Sequence, residues 1–413
     1  MEKKIFCRFC HHEIKHTFVD LGMAPLSNSY VKMNSSEHGQ MTYPLHVRVC
    51  NQCFLVQLEE FESPSDIFSD YAYFSSFSTS WIKHAKAYTD YMVENYAIGK
   101  DSPVIEIASN DGYLLQYFKE KNIPVLGIEP AENVAEVARN EKGIPTISKF
   151  FGVPLAKKLV HEGRKANLLL GNNVLAHVPD INDFVEGMKI LLAADGVITM
   201  EFPHLLNLIE KNQFDTIYHE HFSYLSFLTV QKIFMLHGLR IFDVQEWSTH
   251  GGSLRIFACH VDCFNYKTTD YVESITQQEK QAGLDKLHIY TGFSEKVKNV
   301  KYDLLACLIE LKKANKSIVA YGAAAKGNTL LNYCGIRQDF IDYAVDINPH
   351  KQNIMLPGSR IPVYNPEKIS QTKPDYILIL PWNLKEEIIQ QLSYVKEWGA
   401  KFILPIPEVE IVE

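Results

Sequence analysis

Apolar positions along the chain keep two rhythms. From Ser80 to Tyr96, the residues Trp81, His84, Ala85, Tyr88, Tyr91 and Met92 recur at steps of three and four, which places them on one face of a helix. After Pro103 the run Val104-Ile105-Glu106-Ile107-Ala108 reads as a buried strand. The polar turn Ser109-Asn110-Asp111-Gly112 follows at once, then a helical pattern from Tyr113 to Phe118. Apolar runs recur at 125–128, 168–170 and 197–200 with helix-like spacers between them. Strand, helix and strand in repetition predict a parallel sheet covered on both faces. The same cadence restarts at Ser317-Ile318-Val319-Ala320-Tyr321, turns at Gly322 and passes through strands near 343–345 and 376–380. Residues 1–75 are short strand-like pieces broken by polar turns, and the polar helical stretch from Ser274 to Lys286 marks 251–300 as a connector.

The expected fold is therefore α/β, with a small N-terminal module over 1–75, a Rossmann-like domain over 76–250, the connector, and a second Rossmann-like domain over 301–413. Length agrees, since 413 residues at about 150 per domain allow two to three domains. With 46% hydrophobic and 22% charged residues, a mostly disordered or fibrous chain is excluded. Lys and Arg number 41 against 49 Asp and Glu, a formal charge of -8, which disfavours nucleic acid as the main partner. No apolar run approaches the roughly 18 residues of a membrane helix, and the start MEKKIFCRFC lacks the features of a secretory signal. A cytoplasmic location without membrane contact is expected.

Four of the eight cysteines fall in the first 53 positions, as Cys7-x-x-Cys10 and Cys50-x-x-Cys53. Two such pairs fit two knuckles, each giving two thiolates to one tetrahedral zinc ion. A closed four-thiolate shell leaves no open position, so the expected zinc is structural and stabilises a module too small to build much core. His11 and His12 are substitute ligands only in principle. In the first α/β unit, Glu106-Ile-Ala-Ser-Asn-Asp-Gly112 puts a tight turn between strand and helix, where such sheets bind ligands. Gly127-Ile128-Glu129-Pro130 then ends the next strand with a carboxylate able to accept bonds from ribose hydroxyls. Neither segment matches GxGxxG for NAD or GxxxxGK[ST] for ATP, and the two together, in order, favour a nucleoside cofactor. In the last domain Tyr321-Gly-Ala-Ala-Ala-Lys326-Gly327-Asn328-Thr329 resembles a dinucleotide turn without its full glycine pattern, and Val345-Asp346-Ile347-Asn348 supplies an acid.

The order E-I-A-S-N-D-G, G-I-E-P and Gly171-Asn172-Asn173-Val174-Leu175-Ala176-His177 resembles the S-adenosylmethionine methyltransferases. Three further elements extend the resemblance over essentially the whole chain to the three-domain sugar C-methyltransferases. They are Tyr71-Ala-Tyr73-Phe-Ser-Ser-Phe-Ser78 at the domain joint, Tyr218-His-Glu220-His221, and His250-Gly-Gly-Ser-Leu-Arg255. Enzymes of that family methylate nucleotide-linked keto sugars to make branched sugars, as in tetronitrose- and vancosamine-type pathways. One departure is Ala108, where the family often has glycine.

The resemblance implies S-adenosyl-L-methionine as cofactor, held by Glu106, Ala108, Ser109, Asn110, Asp111, Gly112, Glu129, Pro130, Asn172, Asn173 and His177. It implies methylation at C3 of a nucleotide-diphosphate 4-keto-6-deoxy sugar by a monomer or small homo-oligomer. Carbon methylation needs an enolate, hence a base, and a neutral histidine suits that task near neutral pH. His221 is the implied base, with Tyr218 and Glu220 orienting it or binding sugar, and Tyr73 near the keto oxygen. His219 is a neighbour only a mutant comparison separates from it. Tyr71, His250, Arg255, Lys326, Asn328 and Arg360 are expected at the substrate, with an internal ion pair the competing role for Arg255. Three other functions remain as alternatives: an O-methyltransferase, an NAD(P)-dependent sugar dehydrogenase or reductase using the C-terminal turn, and a zinc-anchored binding module acting on protein or RNA.

Overall fold

The computed structural model describes residues 4–35, 39–63, 74–77 and 79–413; Tyr71 and Tyr73 lie outside them. The chain forms two compact units, each gathered from three stretches. The first holds the chain up to Lys15 with Cys50–His204 and Phe222–Lys286; the second holds His16–Val49, Leu205–His221 and Leu287–Glu413.

In the first unit seven strands form one sheet: β1 (Val104–Ile107), β2 (Val125–Ile128), β3 (Thr146–Ile147), β4 (Ala166–Asn172), β5 (Leu192–Pro203), β6 (Leu239–Trp247) and β7 (Ser253–His260). Their order across the sheet is β6-β7-β5-β4-β1-β2-β3. β1 to β5 pair in parallel, while β7 runs antiparallel to both β5 and β6. Val104, Ile105 and Ile107 of β1, Leu168 to Leu170 of β4, and Val197 and Ile198 of β5 are all buried. Parallel strands covered on both faces carry such unbroken apolar runs because neither face meets water. The helix read from the three-four spacing spans Thr79–Asn95 and buries Trp81, Ala85, Tyr88 and Met92, the face the spacing predicts.

Only part of the connector expected over 251–300 lies outside the sheet, and the division between the two units falls after Lys286. Ser253–His260 is an interior strand of the sheet, followed by helices Asp270–Gln281 and Phe293–Lys313. The segment Ser-Leu-Arg-Ile-Phe-Ala-Cys-His hides its strand character because Arg255 interrupts the apolar run. That arginine faces Glu201 across the β5–β7 pair. Its Nη2 and Nε donate to Glu201 Oε2 at 2.6 and 3.1 Å, and its guanidinium lies 4.6 Å from the Tyr88 ring centre and 4.7 Å from that of Trp247. Arg255 is 1% exposed. The structure shows the internal ion pair that the sequence offered as the competing role for Arg255.

In the second unit an eight-stranded sheet runs in the order Glu410–Val412, Lys401–Leu404, Tyr376–Ile379, Ile318–Tyr321, Ala344–Val345, Pro362–Tyr364, Ile354–Met355 and Val31–Lys32. The last strand comes from the N-terminal region, with Val31 opposite Met355 and Lys32 opposite Ile354. The neighbouring hairpin of His16–Ala24 and Tyr43–Val49 lies in the same unit. Residues 16–49, expected within the zinc module, are therefore structural neighbours of the C-terminal sheet. A two-residue edge strand has no periodicity of its own, so nothing local announces this.

Burial pushes the Glu201 carboxyl up, but His84 Nε2 at 2.9 Å, the Arg255 charge and the Thr249 hydroxyl outweigh it and hold the group down at about 2. The stability this contributes is present above about 4.5 and is lost as pH falls towards 2. Replacing Arg255→Met strands a buried carboxylate and is expected to cost about 3–5 kcal/mol at neutral pH. Urea unfolding measures it, and an unchanged midpoint would remove the pair from the core's support.

Candidate active site and metal centre

Polar side chains of the first unit collect where β1, β2 and β4 end. The turn after β1 twists sharply: Ala108, Asn110 and Gly112 have φ of 55°, 50° and 75°. Ala108 thus occupies a left-handed position, which costs a residue with a Cβ roughly 1 kcal/mol and accounts for the glycine that the resembling family often places there. Glu129, at the end of β2, ties the turn down. Its Oε2 accepts from Asn110 N and its Oε1 from Ala131 N, both at 2.9 Å. Asn110 Oδ1 in turn accepts from Ser75 N at 2.8 Å, and Asp111 pairs with Lys142 at 3.4 Å.

Several buried oxygens here have no protein partner among the described residues: both oxygens of Glu106, Ser109 Oγ and Asn173 Oδ1. Buried acceptors are rarely left so without a ligand to meet them. Burial, with Asp111 and Glu129 nearby, pushes the Glu106 carboxyl well above its ordinary range, and burial brings Glu129 to about 7. The approach is also tight, for a Cβ on Gly127 would lie 2.5 Å from Ser109 Oγ. At the rim, Asn172 Nδ2 reaches the Tyr113 hydroxyl at 3.5 Å, and Asn173 Nδ2 lies 2.5 Å from His250 Nε2. Trp81 stacks on Tyr113 at 6.0 Å and meets the His250 ring edge-on at 5.2 Å. Pro130 leads from Glu129 into the helix Glu132–Asn140, and His177 closes the short helix Leu175–His177. Polar acceptors beside flat aromatic walls fit an adenosyl group with its ribose. Trp81 and Tyr113 were read in the sequence only as helix-face residues, since an aromatic lining a pocket and one filling a core have the same spacing.

The four cysteines meet within the first unit. Cys7 and Cys53 sulfurs are 3.5 Å apart, as are those of Cys10 and Cys50, and all four lie within 4.8 Å of one another. Zn–S bonds of about 2.3 Å in a tetrahedron place sulfurs about 3.8 Å apart, so the cage has the size zinc takes. The two knuckles are built alike. Cys7 O accepts from His11 N and Cys50 O from Phe54 N, while Cys7 N donates to His12 O and Cys50 N to Leu55 O. His11 and Phe54 hold matching left-handed positions, φ 58° and 65°. His11 and His12 are exposed and outside the cage, as the four-thiolate reading requires. Gln57 Nε2 donates to Cys7 Sγ at 3.2 Å, and Arg8 Nη1 and Asn182 Nδ2 join this module to residues 179–182 through Pro179 O and Phe9 O.

In the second unit, Tyr218 to His221 form a turn closed by His221 N donating to Tyr218 O at 2.9 Å. His221 Nδ1 lies 2.8 Å from Thr216 O, and the Tyr218 and His221 rings are 4.0 Å apart. A carbonyl only accepts, so Nδ1 carries the proton and the basic lone pair of the neutral ring is on Nε2. Glu220 is buried and accepts from Asn28 Nδ2 at 2.6 Å; burial brings its carboxyl up to about 7. His219 instead approaches Pro44 O at 3.3 Å and the Tyr43 ring edge-on, and burial lowers its basicity. Asn28 is a partner that sequence reasoning missed, for it lies far from Glu220 in the chain.

The C-terminal residues expected at a diphosphate face their own unit. Lys326 Nζ donates to Asn383 Oδ1 at 2.7 Å and sits 4.6 Å from the Trp382 ring centre, and Asn328 Nδ2 donates to Ser27 O at 2.7 Å. Arg360 follows Gly358 and Ser359 in a turn, at φ 58°, its backbone N donating to Leu356 O. Asp346, the acid an NAD ribose would need, accepts from Ala323 N at 2.7 Å and Asn348 N at 2.8 Å. A Cβ on Gly322 would meet Pro381 at 2.6 Å.

Glu129→Gln is expected to weaken S-adenosylmethionine binding by about 10–100-fold, the worth of one or two charge-assisted hydrogen bonds, as titration calorimetry would read. Because burial raises Glu129, the wild type keeps its full stability below about 4.5 and loses part of it as pH climbs to about 7. In Glu129→Gln that loss should be smaller. Cys50→Ser is expected to release about one zinc equivalent per chain and to lower the melting temperature by several degrees, checked by metal analysis and a thermal melt. Full retention of metal would rule out the cage.

Comparison with known proteins agrees with this geometry. The chain is 34% identical to the C-methyltransferase NovU of Streptomyces niveus over 406 residues, 98% of this chain and 96% of that protein. A ubiquinone biosynthesis O-methyltransferase of Bartonella quintana is 25% identical over 95 residues, 23% of this chain and 38% of that one. Among solved structures, magnesium protoporphyrin IX methyltransferase of a Synechocystis is 14% identical, with a TM-score of 0.35 over 47% of this chain and 91% of that one. Family profiles match residues 7–68 as a zinc binding domain, 82–244 as a methyltransferase domain and 248–407 as a C-methyltransferase C-terminal domain. With a relationship that runs nearly end to end and all three domains accounted for, the chain belongs to the three-domain, S-adenosylmethionine-dependent C-methyltransferases.

Proposed function

We propose that this C-methyltransferase acts at C3 of a nucleotide-diphosphate 4-keto-6-deoxy sugar, through an enolate formed by His221. The observation that carries the proposal is the bond from His221 Nδ1 to Thr216 O, 2.8 Å long, which leaves Nε2 as the basic nitrogen. A carbon beside a ketone is acidic enough to lose a proton to a neutral imidazole, and the negative charge then resides on the keto oxygen. Tyr218, packed on the His221 ring, and Glu220, held by Asn28, keep the turn in shape. Glu220 at about 7 is partly neutral at cellular pH, which limits its electrostatic pull on an imidazolium formed next to it. S-adenosylmethionine, when bound, supplies the sulfonium methyl that the enolate carbon takes. Glu129 and the turn from Ala108 to Gly112 orient that donor, while Trp81 and Tyr113 keep water from it. Asn172, Asn173, His177 and His250 complete the donor's surroundings in this reading, and Tyr73 completes those of the keto oxygen. The reaction belongs to branched-chain deoxysugar biosynthesis in the cytoplasm.

No helix among the described residues is long and apolar enough to cross a membrane. A small-molecule acceptor suits the acidic balance of the chain, 49 acidic against 41 basic residues, better than a macromolecule bearing phosphates.

His221→Asn should lower turnover by about 100-fold or more, within the range of general-base catalysis, while His219→Asn keeps most of it. The direct reading is mass spectrometry of the sugar after incubation in deuterated water without methyl donor. Deuterium should enter at the acceptor carbon with wild type and not with His221→Asn. Methyl gain without such exchange under any condition would favour a hydroxyl acceptor instead. If the histidine substitutions exchanged their effects, the base would be His219.

A further inference from the structure

The loop that carries His221 is anchored at three points, all within the second unit. Thr329 Oγ1, from the N-terminal half of the helix Ala325–Cys334, donates to Ile217 O at 2.8 Å. Trp382 Nε1 donates to Asp215 Oδ2 at 2.7 Å, and the Lys326 ammonium lies over that indole, 4.6 Å from its ring centre. Asp215 and Ile217 flank Thr216, whose carbonyl receives the His221 Nδ1–H. On the far side of the loop, Asn28 holds Glu220 while its neighbour Ser27 is held by Asn328. Thus Lys326, Asn328 and Thr329, three consecutive polar positions around Gly327 in a dinucleotide-like turn, all turn toward the loop or its supports.

Asp215 is wholly buried, and its Oδ1 has no partner among the described residues. Burial pushes this carboxyl up to about 6 against the charge of Lys326, which itself is lowered by burial. A surface loop needs no buried acid to hold its shape. A loop that must keep one carbonyl aligned with one imidazole does, because a displacement of about 1 Å at a reacting group can cost 100-fold in rate.

We infer that the N-terminal half of the helix Ala325–Cys334, with Trp382, is the mount that orients His221, and that Thr329, Asp215 and Asn328 are positioning residues acting through the Thr216 carbonyl and Glu220. The dinucleotide-like turn is in this way used for aiming a base. The inference rests on His221 being that base.

The test is Thr329→Val, an isosteric loss of the donor to Ile217 O, with Trp382→Phe as a second variant that removes the donor to Asp215. Each is made in the full-length zinc-loaded enzyme, in wild-type and in His221→Asn backgrounds. Turnover and deuterium exchange at the acceptor carbon should both fall about 10–100-fold in the wild-type background, with the acceptor KM and the S-adenosylmethionine affinity changed less than about twofold. In the His221→Asn background the same substitutions should cost nothing further, since groups that act through one residue are not additive. Unchanged turnover in both variants would overturn the inference, as would a loss of equal size in the two backgrounds. A loss taken up wholly in KM or donor affinity would do the same. If one variant melts below the assay temperature, the other decides. Failure of the base reading looks different, for then His221→Asn alone retains turnover and exchange.

Discussion

A parallel sheet covered on both faces has room for polar side chains only where its strands run out, and that constraint decides where chemistry sits in the first unit. Val104, Ile105 and Ile107 are buried along β1, so the chain's next acids and amides gather in the turn after it and at the ends of β2 and β4. Glu106 is the exception within the strand, and its cost is visible: a buried carboxyl without a protein partner, driven towards its neutral form. Glu129 shows how such a group is made useful. By accepting from Asn110 N and Ala131 N it stabilises a turn with three left-handed residues that would otherwise be strained.

The zinc knuckles solve a different problem. Two short segments distant in sequence have too little apolar surface to hold each other, and four thiolates around one ion supply the missing cohesion. The matched backbone bonds of Cys7 with His11 and His12, and of Cys50 with Phe54 and Leu55, pre-form each half. Arg8, which donates to Pro179 O and Leu58 O, ties the metal module to the methyltransferase part of the same unit. Loss of metal therefore loosens more than a terminal appendage.

The second unit shares the plan of a nucleotide-binding domain in its central turn. Its strand, turn and helix from Ile318 to Cys334 follow the plan of a nucleotide site, yet Pro381 closes on Gly322 and Asp346 is engaged by backbone donors. Tyr30 and Lys351 both donate to Ala323 O. The polar residues of that turn, Lys326, Asn328 and Thr329, bond to the structure around the loop bearing His221.

Much of this was legible in the sequence because it is carried by neighbours along the chain. The strand and helix cadence and the two cysteine pairs each depend on spacings of a few residues, and the structure places them as expected. The tertiary structure alone decided the rest. Whether Arg255 met a substrate or a carboxylate depended on Glu201 lying opposite it in another strand. Whether residues 16–49 belonged with the zinc ligands or the C-terminal sheet depended on the pairing of Val31 and Lys32 with residues more than 300 positions away. Asp215, Asn28 and Thr329 carry no local signature at all. A side chain's chemistry is written in its type, but its partner is set by which segments the buried core brings together, and that is a property of the whole packed chain.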